Sequence, residues 1–258
     1  MKESNFVAGA WVGEFGWELL CWQGHIRKLA QKYKSTKVYS RIGHNAIYND
    51  FCTEYESFTP ICKELNGFRC EEQENEFKYA PKEKEIYLDG KDFNIGFNYN
   101  GNKITDKSGI FFQQEFVKYG KNKGQGFDIL LHIRKKCADR DWEYNKWIEL
   151  ANLLVKSGRR ISTVGSLEMS DKIDGVNDMR GIPLKELSDV MASSNMIVGQ
   201  SSGAMHFASL CGLKHLVWSS EFNRLKYLNY WNPFNTNVVF YSEEEWNPSP
   251  INICNLCQ

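Results

Sequence analysis

"NMIVGQSSGAMHFASLCG" (residues 195–212) starts as an apolar strand and changes character at its end. Gln200, Ser201, Ser202 and Gly203 are small or polar; Met205, Phe207, Ala208 and Leu210 then read as the start of a helix. A strand that turns directly into a helix leaves the first N–H groups of that helix unpaired and partly positive. Gly203 and Ala204 let a ligand approach the main chain, and Ser201 and Ser202 add hydroxyls. Such a corner can hold a phosphate or diphosphate without a lysine. The same residues also suit an ordinary serine cap with small neighbours for close packing, and the local sequence does not separate the two. His206, one turn into the helix, is either a packed residue or a donor to a phosphate oxygen.

The flanking sequence gives the corner its place. "FDILLHI" (127–133) and "RRISTVG" (159–165) read as strands, and "LKHLVW" (213–218) as another. Between them lie helical stretches: "DWEYNKWIELANLLVKSG", with Asp141 at its cap and Gly158 at its end, and "IPLKELSDVMASS", with Pro183 in its first turn. Strands alternating with helices predict a parallel sheet with the corner at a carboxyl strand end, where such sheets bind ligands. Arg134, in "HIRKK" (132–136), falls at a second carboxyl strand end, and a guanidinium there would pair bidentately with phosphate. Arg140 is a candidate to share that role, and Gly165 and Ser166 follow a third strand.

The first third repeats the logic. "FVAGAWV" reads as a strand, "GEFG" (13–16) as a glycine turn, "WELLCWQGHIRKLAQKY" as one helix and "TKVYSRI" as a strand. Glu14 and Glu18 at that helix start suit its electrostatics. Residues 71–126 are polar, with short β-like pieces such as "EIYLDG" and "FNIGFNY", and "YGKNKGQG" (119–126) is the best linker candidate. The expected organisation is two Rossmann-like α/β domains, 1–122 and 123–240, facing a crevice, with a tail at 241–258 returning to the first domain.

Composition narrows the function. Lys plus Arg equals Asp plus Glu at 32 each in 258 residues, which gives no support to a general nucleic-acid binder. No apolar run approaches the roughly 18 residues needed to span a membrane, and a cytoplasmic protein is expected. Eight cysteines include one CxxC, Cys254 and Cys257, with no second close pair; reduced thiols, not structural zinc, are expected. No carboxylate pair spaced for a metal is read at a strand end, so no metal or other cofactor is expected. A dinucleotide-dependent oxidoreductase would need GxGxxG after the first strand, and "GEFGWE" is not that pattern.

Residues 127–218 resemble the C-terminal half of GT-B glycosyltransferases, especially the heptosyltransferase-like glycosyltransferase family 9. That family's diphosphate-binding loop-helix, G-x-[DS]-[TS]-G-x-x-H-x-A, reads here from Gly199 through Gln200, Ser201, Ser202, Gly203, Ala204 and His206 to Ala208, with Ser201 where aspartate is usual. "HIRKK" is also similar to the H-x-R-R motif of GT-B fucosyltransferases, whose arginine contacts the phosphates of a GDP-sugar. The resemblance implies a compact GT-B fold and metal-independent transfer of a sugar from a nucleoside-diphosphate-sugar to a glycan, lipid-linked or other hydroxyl acceptor. It implies donor contacts at Arg134, Arg140, Gly165, Ser166, Gln200, Ser201, Ser202, Gly203, Ala204 and His206. On the acceptor side it implies a loop of Gly13, Gly16 and Trp17 and a catalytic base at Glu14 or Glu18, Glu14 first. The alternatives are a non-catalytic nucleotide- or sugar-binding protein, or a fucosyltransferase-like GT-B enzyme using a GDP-sugar.

Overall fold

A computed structural model describes residues 4–59, 77–90, 96–98, 103–105, 111–124, 126–136 and 138–258. Cys62, Cys70, Cys137, Gln125 and much of the polar stretch at 60–110 lie outside the described residues. The chain divides into two compact units, Met1–Phe116 and Val117–Gln258.

The first unit is built on a four-stranded parallel sheet of order β3-β2-β1-β4. β1 (Asn5–Ala8) carries buried Phe6, Val7 and Ala8. The single helix expected from the sequence is three pieces in succession: a turn α1 (Phe15–Trp17), a π-helical turn (Glu18–Trp22) and α2 (Gln23–Ala30). Leu19, Leu20, Trp22 and Ile26 are buried there, and Trp22 stacks on Trp11 at 5.6 Å. β2 (Ser35–Arg41) leads through a 3₁₀ turn (His44–Ile47) to β3 (Glu54–Phe58). β4 (Glu85–Leu88), the "EIYL" piece, pairs with β1, and Gly9 N–H donates to Leu88 O at 2.7 Å. β5 (Gly96–Asn98), β6 (Lys103–Thr105) and β7 (Phe111–Phe112) form a separate antiparallel sheet. The chain then returns to α2, where Glu115 N–H donates to Gly24 O at 2.9 Å.

The second unit holds a six-stranded parallel sheet of order β10-β9-β8-β11-β12-β13. Its strands are β8 (Ile129–His132), β9 (Ile161–Thr163), β10 (Asn177–Asp178), β11 (Ile197–Gln200), β12 (His215–Trp218) and β13 (Val238–Tyr241). The helices are α3 (Tyr144–Lys156), α4 (Leu184–Ser193), α5 (Gly203–Cys211) and α6 (Pro250–Leu256). This is the 3-2-1-4-5-6 order of a Rossmann sheet, two strands larger than the sequence suggested. Trp142, Trp147 and Trp218 meet at 4.9–5.3 Å in its core. α3 begins after Glu143, not Asp141, whose carboxylate accepts the Lys136 N–H at 2.7 Å.

Two segments are held within the second unit. Among the C-terminal residues, Ile253 and Cys257 enter its core, and Trp142 Nε1 donates to Pro248 O at 2.9 Å. The glycine-lysine stretch is bound to α4 rather than loose. Lys121 N–H donates to Asp189 Oδ1 and Lys123 N–H to Ser193 Oγ, at 2.8 and 2.9 Å. Phe127 N–H reaches Ser194 Oγ at 3.1 Å. The Lys185 ammonium, with Lys123 and the Lys121 amide, holds the Asp189 carboxyl well below its usual range against burial. The glycines act here by close approach, since a Cβ on Gly120 would lie 2.0 Å from Ser188 O at a φ of +81°. Gly120→Ala combines that overlap with a left-handed backbone, which costs about 1–3 kcal/mol by itself. Urea denaturation is expected to show a loss of at least that size; unchanged stability would mean that the strap does not hold to α4.

Candidate functional site

In an open parallel sheet, ligands bind beyond the carboxyl ends of the strands at the point where strand order reverses. In the second unit that point lies between β8 and β11, and both ends carry sequence-selected residues. Past β8, Arg134 bridges to Ser170, and Lys135 N–H and Asp171 N–H bond to Met169 O and Ile133 O. Arg134 is buried at 9% exposure, with its Nε 3.9 Å from Asp141 Oδ1. His132, just before it, bonds through Nδ1 to Val164 O; burial, then the Arg134 charge, against that bond, bring it down to about 4, so it is neutral.

Past β11, Gln200 is fully buried, with Nε2 donating to Arg140 O at 2.8 Å. Ser201 N–H donates to Trp218 O. Tyr227, from a π-helical turn (Lys226–Tyr230), then fixes the corner: Ser202 N–H donates to its hydroxyl at 3.2 Å, and that hydroxyl donates to Ser201 Oγ at 3.0 Å. Burial raises the Tyr227 phenol; its bonds to Ser201 and Ser202 and the nearby Arg134 charge oppose this.

α5 starts at Gly203 with Ser202 as an extended cap whose side chain makes no cap bond, and it ends at Gly212 in the left-handed region. Among the described residues, the buried atoms Ser202 Oγ, Gln200 Oε1 and His206 Nδ1 have no hydrogen-bond partner. Buried polar atoms are nearly always paired, so three orphans around one helix start stand out. Ser201, Ser202, Gly203 and Ala204 are half-buried. His206 is 3% exposed, stacked on Tyr227 at 4.3 Å and edge-on to Trp231 at 4.6 Å. Burial, with the Lys226 charge, takes its imidazole well below its usual value, so it is neutral.

The other strand ends are more ordinary. Gly165 adopts φ +137°, and a Cβ there would meet Ser170 Cβ at 2.6 Å. Ser166 Oγ accepts the Met169 N–H at 3.1 Å. Arg180 forms a two-pronged pair with Asp178 and donates to Ser170 O, bracing the loops after β9 and β10. Arg140 is exposed with its guanidinium 5.6 Å from the Trp246 ring, and its carbonyl, not its charge, reaches Gln200. A metal-spaced carboxylate pair does occur beyond β8, Asp139 and Asp141, but Asp141 bonds the Lys136 amide and faces Arg134. Among the described residues no group of three or more His, Cys, Asp or Glu is placed to hold a metal.

In the first unit, the corner after β1 is held from β2: an Arg41 guanidinium N–H donates to Gly13 O. Gly13 and Gly16 are buried, while Glu14 and Trp17 are half-exposed. Glu14 O accepts from Trp17 N–H, Glu18 N–H and Trp11 Nε1. Glu18 is different. It has no exposed surface, and its carboxylate accepts from Ser40 Oγ and from Tyr48 OH (2.8 Å), with His44 Nδ1 2.7 Å from the other oxygen. Burial raises its pKa, but His44, Arg41 and the Ser40 hydroxyl outweigh that and leave it below its usual value. An ionised carboxylate so enclosed has no oxygen open to a reactant, which corrects the expectation of Glu18 as a base.

Sequence reasoning missed Tyr227, Ser40, His44 and Tyr48. Tyr227→Phe removes the hydroxyl that holds Ser201 and Ser202. A stability loss of about 1 kcal/mol is expected, together with faster amide hydrogen exchange at Ser202. Unchanged exchange there would mean that the corner is held by other contacts.

No family model matches the sequence, and no curated protein matches it. Solved structures do resemble it. A glycosyl transferase family 9 protein from Veillonella parvula has 11% identity and a TM-score of 0.64, over 99% of this chain and 96% of that one. E. coli heptosyltransferase WaaC with ADP has 12% identity and a TM-score of 0.57, over 97% and 98%. E. coli ADP-heptose lps heptosyltransferase II has 12% identity and a TM-score of 0.56, over 99% and 98%. At these identities the likeness is one of fold, and the chain has the α/β fold of these glycosyltransferases over nearly its whole length.

Proposed function

We propose that the chain is a glycosyltransferase that moves a sugar from a nucleoside-diphosphate-sugar to a hydroxyl acceptor, on a glycan, a lipid-linked molecule or another alcohol. The observation that carries this is the β8/β11 reversal, with Arg134 past β8 and, past β11, the bare start of α5 with its orphaned Ser202 hydroxyl and Tyr227 bonded to Ser201 and Ser202. A diphosphate needs a cation, oriented N–H groups and hydroxyl donors, and this corner supplies all three. The likeness to proteins named as heptosyltransferases, one of them with ADP, favours ADP as the first nucleotide to test.

The chemistry follows from the charges. As the sugar leaves, negative charge grows on the diphosphate, and preorganised donors stabilise it without reorganising. Arg134 and the α5 amides do so here without a metal. His206, neutral, contributes at most one N–H. The hydroxyl's proton needs a base, and Glu14, half-exposed, is the proposed one. A nucleotide- or sugar-binding protein without turnover is the rival, and release of nucleoside diphosphate from a donor separates the two.

ADP, UDP and GDP are to be screened by thermal shift, since a ligand that binds only the folded state raises its apparent stability. Arg134→Ala and Gly203→Val are each expected to weaken the binding nucleotide about tenfold or more while the chain stays folded. Full affinity in both would place the site elsewhere. Turnover of the donor is expected to persist in EDTA. Loss in EDTA with recovery on manganese or magnesium would contradict the metal-free assignment.

A further inference from the structure

Arg134 meets a counter-charge within its own loop. β8 ends at His132, and the chain runs past Arg134 to Asp141 before Trp142 enters the core. Across that loop Asp141 Oδ1 lies 3.9 Å from Arg134 Nε, with side-chain exposures of 19% and 9%. Two charges so far removed from water are weakly screened, so each feels the other more than the partners of an exposed ion pair do.

The chain holds both charges in place. Arg134 is bridged to Ser170, and Asp171 N–H donates to Ile133 O at 3.0 Å. Asp141 accepts the Lys136 N–H through Oδ2 at 2.7 Å. Its two neighbours are anchored as well: Gln200 Nε2 donates to Arg140 O at 2.8 Å, and the Trp142 indole donates to Pro248 O at 2.9 Å. The carboxylate therefore stays beside the guanidinium when another anion arrives. A brace for this loop would need only an oxygen to accept the Lys136 amide. A carboxylate adds a fixed negative charge beside the cation proposed to meet the diphosphate.

We infer that Asp141 is a counterweight to Arg134. It balances the guanidinium while the site is empty and repels the diphosphate that binds there, so that the nucleotide left after transfer is readily released. This rests on the glycosyl-transfer reading, with Arg134 at the diphosphate. In the empty site the buried arginine is compensated by Asp141. In the occupied site Arg134 is shared between the carboxylate and the phosphate oxygens, and the two negative groups oppose each other. Asp141 sets how long the nucleotide stays and takes no part in making or breaking bonds.

Calorimetry and stopped-flow release of ADP from the full chain test this. Asp141→Asn keeps an acceptor for the Lys136 N–H and removes the charge. It is expected to bind ADP about tenfold more tightly than the wild type, mostly through slower release. Asp141→Ser also removes the charge and carries the same expectation should the first variant fail to fold. Asp141→Glu keeps the charge and is expected to show no gain. Unchanged or weaker ADP binding in a folded neutral variant, or an equal gain in Asp141→Glu, overturns the inference and leaves the donor reading standing. Inorganic pyrophosphate separates the two further. If the wild type takes none of ADP, UDP and GDP while Asp141→Asn binds pyrophosphate, the counterweight stands and the nucleotide reading falls. If neither chain binds any of these anions, both fall.

Discussion

Parallel strands cannot be joined by tight turns, so every crossover must leave the sheet at its carboxyl edge and come back to the other. Each unit of this chain obeys that constraint, and it alone gathers distant residues. In the second unit, one edge collects the loops after β8, β9, β11 and β12, and so brings Arg134 near a corner more than sixty residues later in the sequence. In the first, it collects Gly13–Trp17 after β1 and His44 after β2. No side chain has to be strained into position; the hydrogen-bond ladder does the collecting.

The two edges use opposite electrostatics. The second unit buries neutral histidines, His132 and His206, and a permanent arginine cation, Arg134, that faces Asp141. The first unit buries an ionised carboxylate and surrounds it with Ser40, Tyr48, His44 and Arg41. A buried charge persists only with such partners. Its partners are thereby fixed in place as firmly as the carboxylate itself.

What the sequence made legible was local. The strand-corner-helix at 195–212 and the alternation from 127 to 218 carry period, caps and small residues within a few positions of one another, and the elements appear where those signals lie. Tyr227 was not legible, because it acts on Ser201 and Ser202 across 25 residues with no motif to announce it. β4 was read only as a β-like piece, since its parallel pairing with β1 spans 80 residues. The 119–126 stretch has the composition of a linker, yet its glycines serve close approach to α4. Glu18 looked like its neighbour Glu14 until burial told them apart.

Both central side chains sit in π-helical turns, Glu18 at the start of one and Tyr227 within the other. A π-turn amounts to one extra residue accommodated in a helix, and each residue of an α-helix rotates the next by about 100°. Chain length at these two turns is thus a setting of aim. Deleting a single residue would relax the turn to ordinary helix at little cost to the fold, yet swing the phenol from the serines or the carboxylate from its imidazole. In a lineage of such chains, the loss or gain of one residue at either turn would be a quick route by which the scaffold keeps its shape and changes its chemistry.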